Sequence, residues 1–326
     1  MNSENKFTPS DKGILDRRQS KVSSDSFAVK RDSLAKKVVG NFIGDNDSDS
    51  LYNSLSGKSG QRQREKFESI VKIAERVWLP EFKNSFSEKL DILRQNGDLN
   101  ISPEEVKKRL SDVQIFFFDK GTKAGEKVDA KGANSRYSTV HIEIDTNFNG
   151  DENEFLADLQ HTFNHEMLHA ISGSLFLTTP RHLGVFNTDK YRRGLVFGPT
   201  IMGDDIERFS WLNEAVTETL ALEMDENKDT DFLSYKNERL LLSLLINGPV
   251  GGSEQKIDKK KFYHAYFESY QEKDSAENRL KYWKELIHSI NSAFYPGFLL
   301  KLDKLIKEKG VGYMVSNFQH ICENKI

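Results

Sequence analysis

The segment His165-Glu166-Met167-Leu168-His169 constrains this chain more than any other. Two histidines four residues apart lie on one face of a helix, one turn from each other, so both imidazoles can reach a single metal ion. Glu166 stands beside the first of them, where its carboxylate can approach a water on that metal without ligating the metal itself. Zinc lowers the pKa of such a water to about 7, and a neighbouring carboxylate can then take its proton. The flanking residues favour the helix this spacing requires. Phe155, Leu156, Leu159, Phe163, Met167 and Ala170 recur at three- and four-residue steps, which predicts one helix over 151–172 closed by Gly173. The plain alternative is a surface helix that carries two histidines by chance.

A tetrahedral catalytic centre needs a third protein ligand and one open position. The extended motif with a third histidine fails here, because Ser172 and Leu175 occupy the corresponding positions. His182 sits in a segment flanked by proline and glycine and has no helical partner. The better source is Trp211-Leu212-Asn213-Glu214-Ala215-Val216-Thr217-Glu218, with Asp204, Asp205 and Glu207 as rivals.

HEMLH followed by a downstream helix bearing WLNEAVTE resembles the gluzincins, zinc peptidases whose third ligand is a glutamate on a second helix. The resemblance runs from the strand near Val140 to the helix near Tyr235. It implies zinc, one ion per chain, held by His165, His169 and Glu214, with Glu166 as general base. It implies also that Glu218, one turn after Glu214, bonds a metal-bound imidazole and fixes its tautomer. One departure is the 44 residues between His169 and Glu214, a longer separation than in the best-known members. The competing role for Glu214 is a carboxylate that opposes the dipole at a helix N-terminus. Gluzincins stabilise the oxyanion with a Tyr, His or Arg across the cleft. Tyr235 is the first choice, with Tyr191, Arg192, Arg193 and His264 behind it, and half-buried packing is the competing role for Tyr235.

Around this centre the chain predicts α+β structure, with a zincin-like small sheet over the active-site helix and a mostly helical C-terminal part. Residues 1–60 are rich in Ser, Asp, Asn, Lys and Gly, carry a net charge of +4 over 1–40, and read as a disordered arm. A catalytic domain is expected over 61–250. It opens with a helical stretch over 61–95 broken at Pro80. Strands are expected at 113–119 and 139–145. The second alternates Val140, Ile142 and Ile144 against polar residues and is a candidate edge strand for pairing with an extended peptide. The segment between these strands reads as a loop. Residues 174–210 read as irregular apart from a short strand at 193–197. Helices are expected over 211–224 and from Tyr235 to Gly248. Further helices over 251–326, broken at Pro296-Gly297 and Gly310–Gly312, would close the cleft as a helical subdomain.

Composition narrows the chemistry. The single cysteine, Cys322, cannot make an intramolecular disulfide or a thiolate cage, so histidines and carboxylates must hold any zinc. The net charge of −3 argues for neither nucleic acid nor an anionic membrane, and no apolar run is long enough to span one. The basic run 256–261 beside Phe262, Tyr263, Tyr266 and Tyr270 has helical aromatic spacing, which reads as core packing rather than nucleic-acid binding. The N-terminus lacks an apolar secretion signal, so the default location is cytoplasmic, with export of an effector or toxin by another route left open. The expected partner is a protein or peptide substrate. The rival functions are a non-catalytic zinc-binding domain and a helical interaction protein.

Overall fold

The computed structural model describes residues 58–111, 113–119, 132–134, 139–144, 152–180, 186–198, 207–225, 234–248, 256–269 and 280–324. The arm expected over 1–60 lies outside these residues, apart from the last three, which begin the first helix. The described fold is mostly helical, with small sheets.

Helix α1 (Lys58–Ile73) runs through a π-helical turn at Ala74–Trp78 into α2 (Leu79–Gln95) without the break expected at Pro80. A proline inside an α-helix collides with the carbonyl four residues back. Here Pro80 sits in the first turn of α2, behind a wider turn in which the Leu79 N–H donates to the Ala74 carbonyl five residues back. The π turn therefore accommodates the ring within a continuous helix. Buried Phe82, Phe86, Leu90 and Leu93 then place α2 on the core.

After α3 (Pro103–Ser111), strand β1 (Gln114–Asp119) pairs in parallel with β3 (Thr139–Ile144), and β2 (Gly132–Asn134) pairs antiparallel with the other side of β3. The sheet order β1-β3-β2 corrects two expectations. The stretch read as a loop contains β2. Strand β3 is the centre of its sheet and not an edge, so both of its hydrogen-bonding sides are taken. The alternation itself stands: Val140, Ile142 and Ile144 are buried.

Helix α4 (Glu152–Ile171) carries the HEMLH segment and packs against β3. Its second half is buried all round, with Phe163, Met167 and Leu168 interleaved with Asn164, His165, Glu166 and His169. Residues after it were expected to be irregular apart from a short strand at 193–197, yet β4 (Ser174–Pro180), β5 (Phe186–Arg193) and β6 (Val196–Phe197) form an antiparallel sheet in that order, with the expected strand divided between the end of β5 and β6. The sequence hid β5 because Phe-Asn-Thr-Asp-Lys-Tyr-Arg-Arg has no apolar alternation. Backbone pairing with β4 supplies what the pattern lacks.

The remaining helices are α5 (Ser210–Met224), α6 (Lys236–Asn247), α7 (Lys259–Phe267), α8 (Lys281–Ala293), α9 (Phe298–Lys309) and α10 (Val311–Asn324). Gly297 and Gly310 take positive-φ conformations at the two expected breaks, Gly297 left-handed and Gly310 with an extended ψ, while Gly312 falls inside α10. One buried cluster runs from Phe82 through α4 and α5 to Ile321, so the C-terminal helices share the core that carries HEMLH.

Two glycines set how closely these parts approach. Just past α4, the Gly173 N–H donates to the Tyr266 carbonyl (2.8 Å), and the Gly173 carbonyl accepts from the Gly194 N–H (2.7 Å). A Cβ on Gly173 would lie 2.0 Å from the Glu268 carbonyl oxygen, and one on Gly194 would lie 2.2 Å from Asn213 Oδ1. Both contacts are far inside van der Waals distance. Gly173→Ala should therefore destabilise the protein by about 3 kcal/mol. At Gly297 a Cβ would meet nothing within 4 Å, and Gly297→Ala should cost about 1 kcal/mol through its left-handed backbone alone. Equal losses for the two variants in denaturant melts would contradict this packing.

Candidate metal centre

Helix α5 lies along α4 and presents Asn213, Glu214, Thr217 and Glu218, spaced three and four apart, to the histidines. Its entry is constrained. Phe209 holds a left-handed conformation, with its N–H bonded to the Asp303 carboxylate of α9 (2.7 Å). A bulky residue rarely adopts that conformation, and the aspartate bond helps to fix it.

The ligand atoms meet at one point. His165 Nε2 lies 3.1 Å from His169 Nε2, and Glu214 Oε2 lies 3.0 Å from His169 Nε2 and 3.3 Å from His165 Nε2. Among the described residues these three side chains form a group able to hold a metal ion. Metal–ligand bonds of about 2.0–2.2 Å at tetrahedral angles put neighbouring ligand atoms roughly 3.3–3.5 Å apart. The observed triangle is within a few tenths of an ångström of that face, and its two-nitrogen, one-oxygen donor set suits zinc.

The outward-facing nitrogens are also held. His165 Nδ1 is 2.8 Å from Glu218 Oε2. His169 Nδ1 is 3.3 Å from Thr217 Oγ1 and 3.2 Å from the Asn213 amide nitrogen, whose partner oxygen accepts the Leu195 N–H at 2.9 Å. The Thr217 hydroxyl donates to the Asn213 carbonyl (2.8 Å) and hydrogen-bonds the Tyr266 hydroxyl (2.8 Å). It keeps a lone pair for a proton on His169 Nδ1, the tautomer that frees Nε2 for a metal, whereas the Asn213 amide turns a donor to that nitrogen and favours the opposite tautomer.

Glu166 differs from its neighbours. It is buried, and its Oε2 has no hydrogen-bond partner. Burial raises its pKa, against the opposing pull of His165, His169 and Arg193. Glu214 goes the other way: burial would raise it, but His169 and His165 hold it well below the usual carboxylate range. The two carboxylates are thus separated in basicity. The Tyr235 ring stacks on His165 at 5.5 Å and 6°. Burial, then the charges of Glu214, Glu166 and Glu218, raise its pKa, so the phenol keeps its proton.

The structure therefore brings His165, Glu166, His169, Glu214, Glu218 and Tyr235 together. Of the rival ligands, Glu207 is exposed and outside the group, while Asp204, Asp205 and His182 lie outside the described residues. Of the rival oxyanion partners, Tyr191 lies on β5, and Arg192 is committed to the carbonyls of Gly194 and Ala265 and to Glu268. His264 packs on Tyr282. Arg193 does act on Glu166 through its charge. Sequence reasoning missed His161, Asn213, Thr217, Asp225 and Tyr266. His161 was recoverable, because it stands four residues before His165 on the same helical face; Asp225 and Tyr266 carry no such periodic signal.

Comparison with protein-family models, curated proteins and solved structures finds no match for this chain.

His161 touches Asp225 and Glu218 through its two ring nitrogens. Burial alone would lower its pKa, but those carboxylates carry it up to about 9 from 6.5. A pKa raised on folding stabilises fully below the unfolded value and is lost as pH climbs through the folded one. With metal chelated, stability should therefore fall between about pH 6.5 and 9. His161→Gln should make that decline shallower in denaturant melts taken across the range. An unchanged slope would contradict the pairing.

Proposed function

We propose that the chain is a zinc-dependent peptidase that hydrolyses peptide bonds of a protein or peptide substrate, on a zincin-like arrangement of α4 and α5. The observation that carries this reading is the convergence of His165, His169 and Glu214 on one point, beside a buried glutamate oxygen with no partner. A structural clamp would close its site with four protein ligands and would have no use for Glu166. Among the described residues the group offers three ligands, which leaves a position for chemistry.

A bound zinc ion supplies Lewis acidity, polarising a carbonyl and acidifying water at the site. The protein does the rest. Glu166 accepts the proton of the attacking water at its unpartnered oxygen, and the basicity gained by burial suits it to return that proton to the leaving amine nitrogen. Glu218 keeps a proton on His165 Nδ1 and so holds that Nε2 lone pair toward the metal, and Thr217 offers a lone pair for the same tautomer of His169. Tyr235 donates its phenolic proton as a hydrogen bond to the developing oxyanion; its proton is retained across the working pH range, so the donor is always present.

Purified wild type should carry about one zinc per chain. His169→Ala and Glu214→Ala should lose it, measured by elemental analysis. Glu166→Gln should keep the metal and lose about 10²- to 10⁴-fold in cleavage of a peptide library read by mass spectrometry. Tyr235→Phe should keep the metal and lose about 10²-fold in kcat. A wild type free of zinc after reconstitution, or a Glu166→Gln variant as active as wild type, would sink the proposal.

A further inference from the structure

A carboxylate at the C-terminal end of a helix faces the negative pole of the backbone dipole and is disfavoured there. Asp225 occupies that place, as the residue that caps α5 after Met224. It is taken up by α4: one carboxylate oxygen meets His161 Nδ1, and the other accepts from Asn164 Nδ2 at 3.0 Å. The second nitrogen of His161, Nε2, lies 3.2 Å from Glu218 Oε1, and Glu218 Oε2 is the atom 2.8 Å from His165 Nδ1. Asp225, His161, Glu218 and His165 thus form one continuous line of contacts ending at a residue of the metal triangle.

We propose that His161 and Asp225 are positioning residues of the metal centre, acting through Glu218 on His165. This rests on the zinc-centre reading above. The spacing explains how two helices build the line. His161 and His165 are one turn apart on α4, so a single carboxylate from α5 spans them, one oxygen to each ring. Asp225 is two turns beyond Glu218 and reaches the far side of His161. With a carboxylate oxygen at each ring nitrogen, His161 donates in both directions and carries a positive charge between two negative ones. Glu218 is 1 % exposed and has no water to turn to. Without His161 its Oε1 is a buried acceptor with no donor, and the carboxylate rotates off the geometry that orients His165.

The test uses the full chain stripped of metal. Zinc affinity is measured by competition with a chromogenic chelator for wild type, His161→Gln, Asp225→Asn, Glu218→Gln and the double variant His161→Gln/Glu218→Gln. His161→Gln should weaken zinc binding about tenfold and Asp225→Asn by a smaller factor. His161→Gln should add nothing further in the Glu218→Gln background, because its effect travels through that carboxylate. ¹⁵N resonances of His161 at pH 7.5 should show both ring nitrogens protonated, a signature that a merely space-filling residue would not produce. If His161→Gln fails to fold, Asp225→Asn, which preserves volume, carries the test with the ¹⁵N pattern. Wild-type affinity in both His161→Gln and Asp225→Asn, an undiminished His161→Gln effect in the Glu218→Gln background, or a neutral His161 ring overturns the proposal while leaving the zinc centre intact. A wild type that binds no zinc overturns the centre and this proposal with it.

Discussion

Helix α4 carries two imidazoles and a carboxylate into the interior on three positions of one turn and a third. An ionisable group withdrawn from water must find partners or change its protonation state, at a cost of several kcal/mol if it does neither. Much of the surrounding structure answers that demand. Helix α5 answers it most directly, with a polar face of Asn213, Glu214, Thr217 and Glu218 on a helix otherwise packed by Leu212, Ala215, Val216, Leu220 and Ala221. Each imidazole receives a carboxylate or hydroxyl at its outer nitrogen. The inner nitrogens are left to face each other and Glu214 at hydrogen-bond distance, an arrangement that either a proton on His165 or a bound cation satisfies.

The same demand reaches into the C-terminal helices. Tyr266 on α7 is fully buried, and its hydroxyl ends at Thr217, one contact from His169. That reach depends on the absence of side chains at Gly173 and Gly194, which lets the end of α4, the β5–β6 turn and the end of α7 exchange backbone hydrogen bonds directly. Arg192 and Arg109 secure the junction from either side. Arg192 bonds the Ala265 carbonyl and Glu268, and Arg109 bonds the Ile171 and Phe267 carbonyls. Guanidiniums that satisfy several carbonyls at once, one buried at Arg192 and one partly buried at Arg109, are strong, directional ties. The geometry of the His165, His169 and Glu214 triangle is therefore a property of the assembled core and not of the two helices in isolation.

How far this was legible follows from which interactions leave a periodic trace. The i,i+4 histidines and the apolar steps from Phe155 to Ala170 gave α4 almost to the residue, and WLNEAVTE placed Glu214 and Glu218 where α5 puts them. Tyr235 was chosen only by its position at a helix start, and the structure stacks it on His165. The polar hairpin strand β5 was invisible because backbone pairing needs no hydrophobic alternation. Strand β3 was recognised, but which neighbours it takes is decided by chain topology, and so an expected edge became a centre. Pro80 misled because a π turn absorbs its ring. Tyr266 was rightly read as core; that a core tyrosine also ends in a hydroxyl contact one step from His169 depends on three-dimensional approach set by two distant glycines.

The measurement that tests the central claim most directly is anomalous diffraction at the zinc edge from crystals of the full chain grown with zinc. The account predicts a single strong peak bonded to His165 Nε2, His169 Nε2 and Glu214, with the Glu166 carboxylate beside it and not bound to it. A peak that leaves out Glu214 or includes Glu166, or a peak-free triangle in crystals that hold zinc elsewhere, would contradict it.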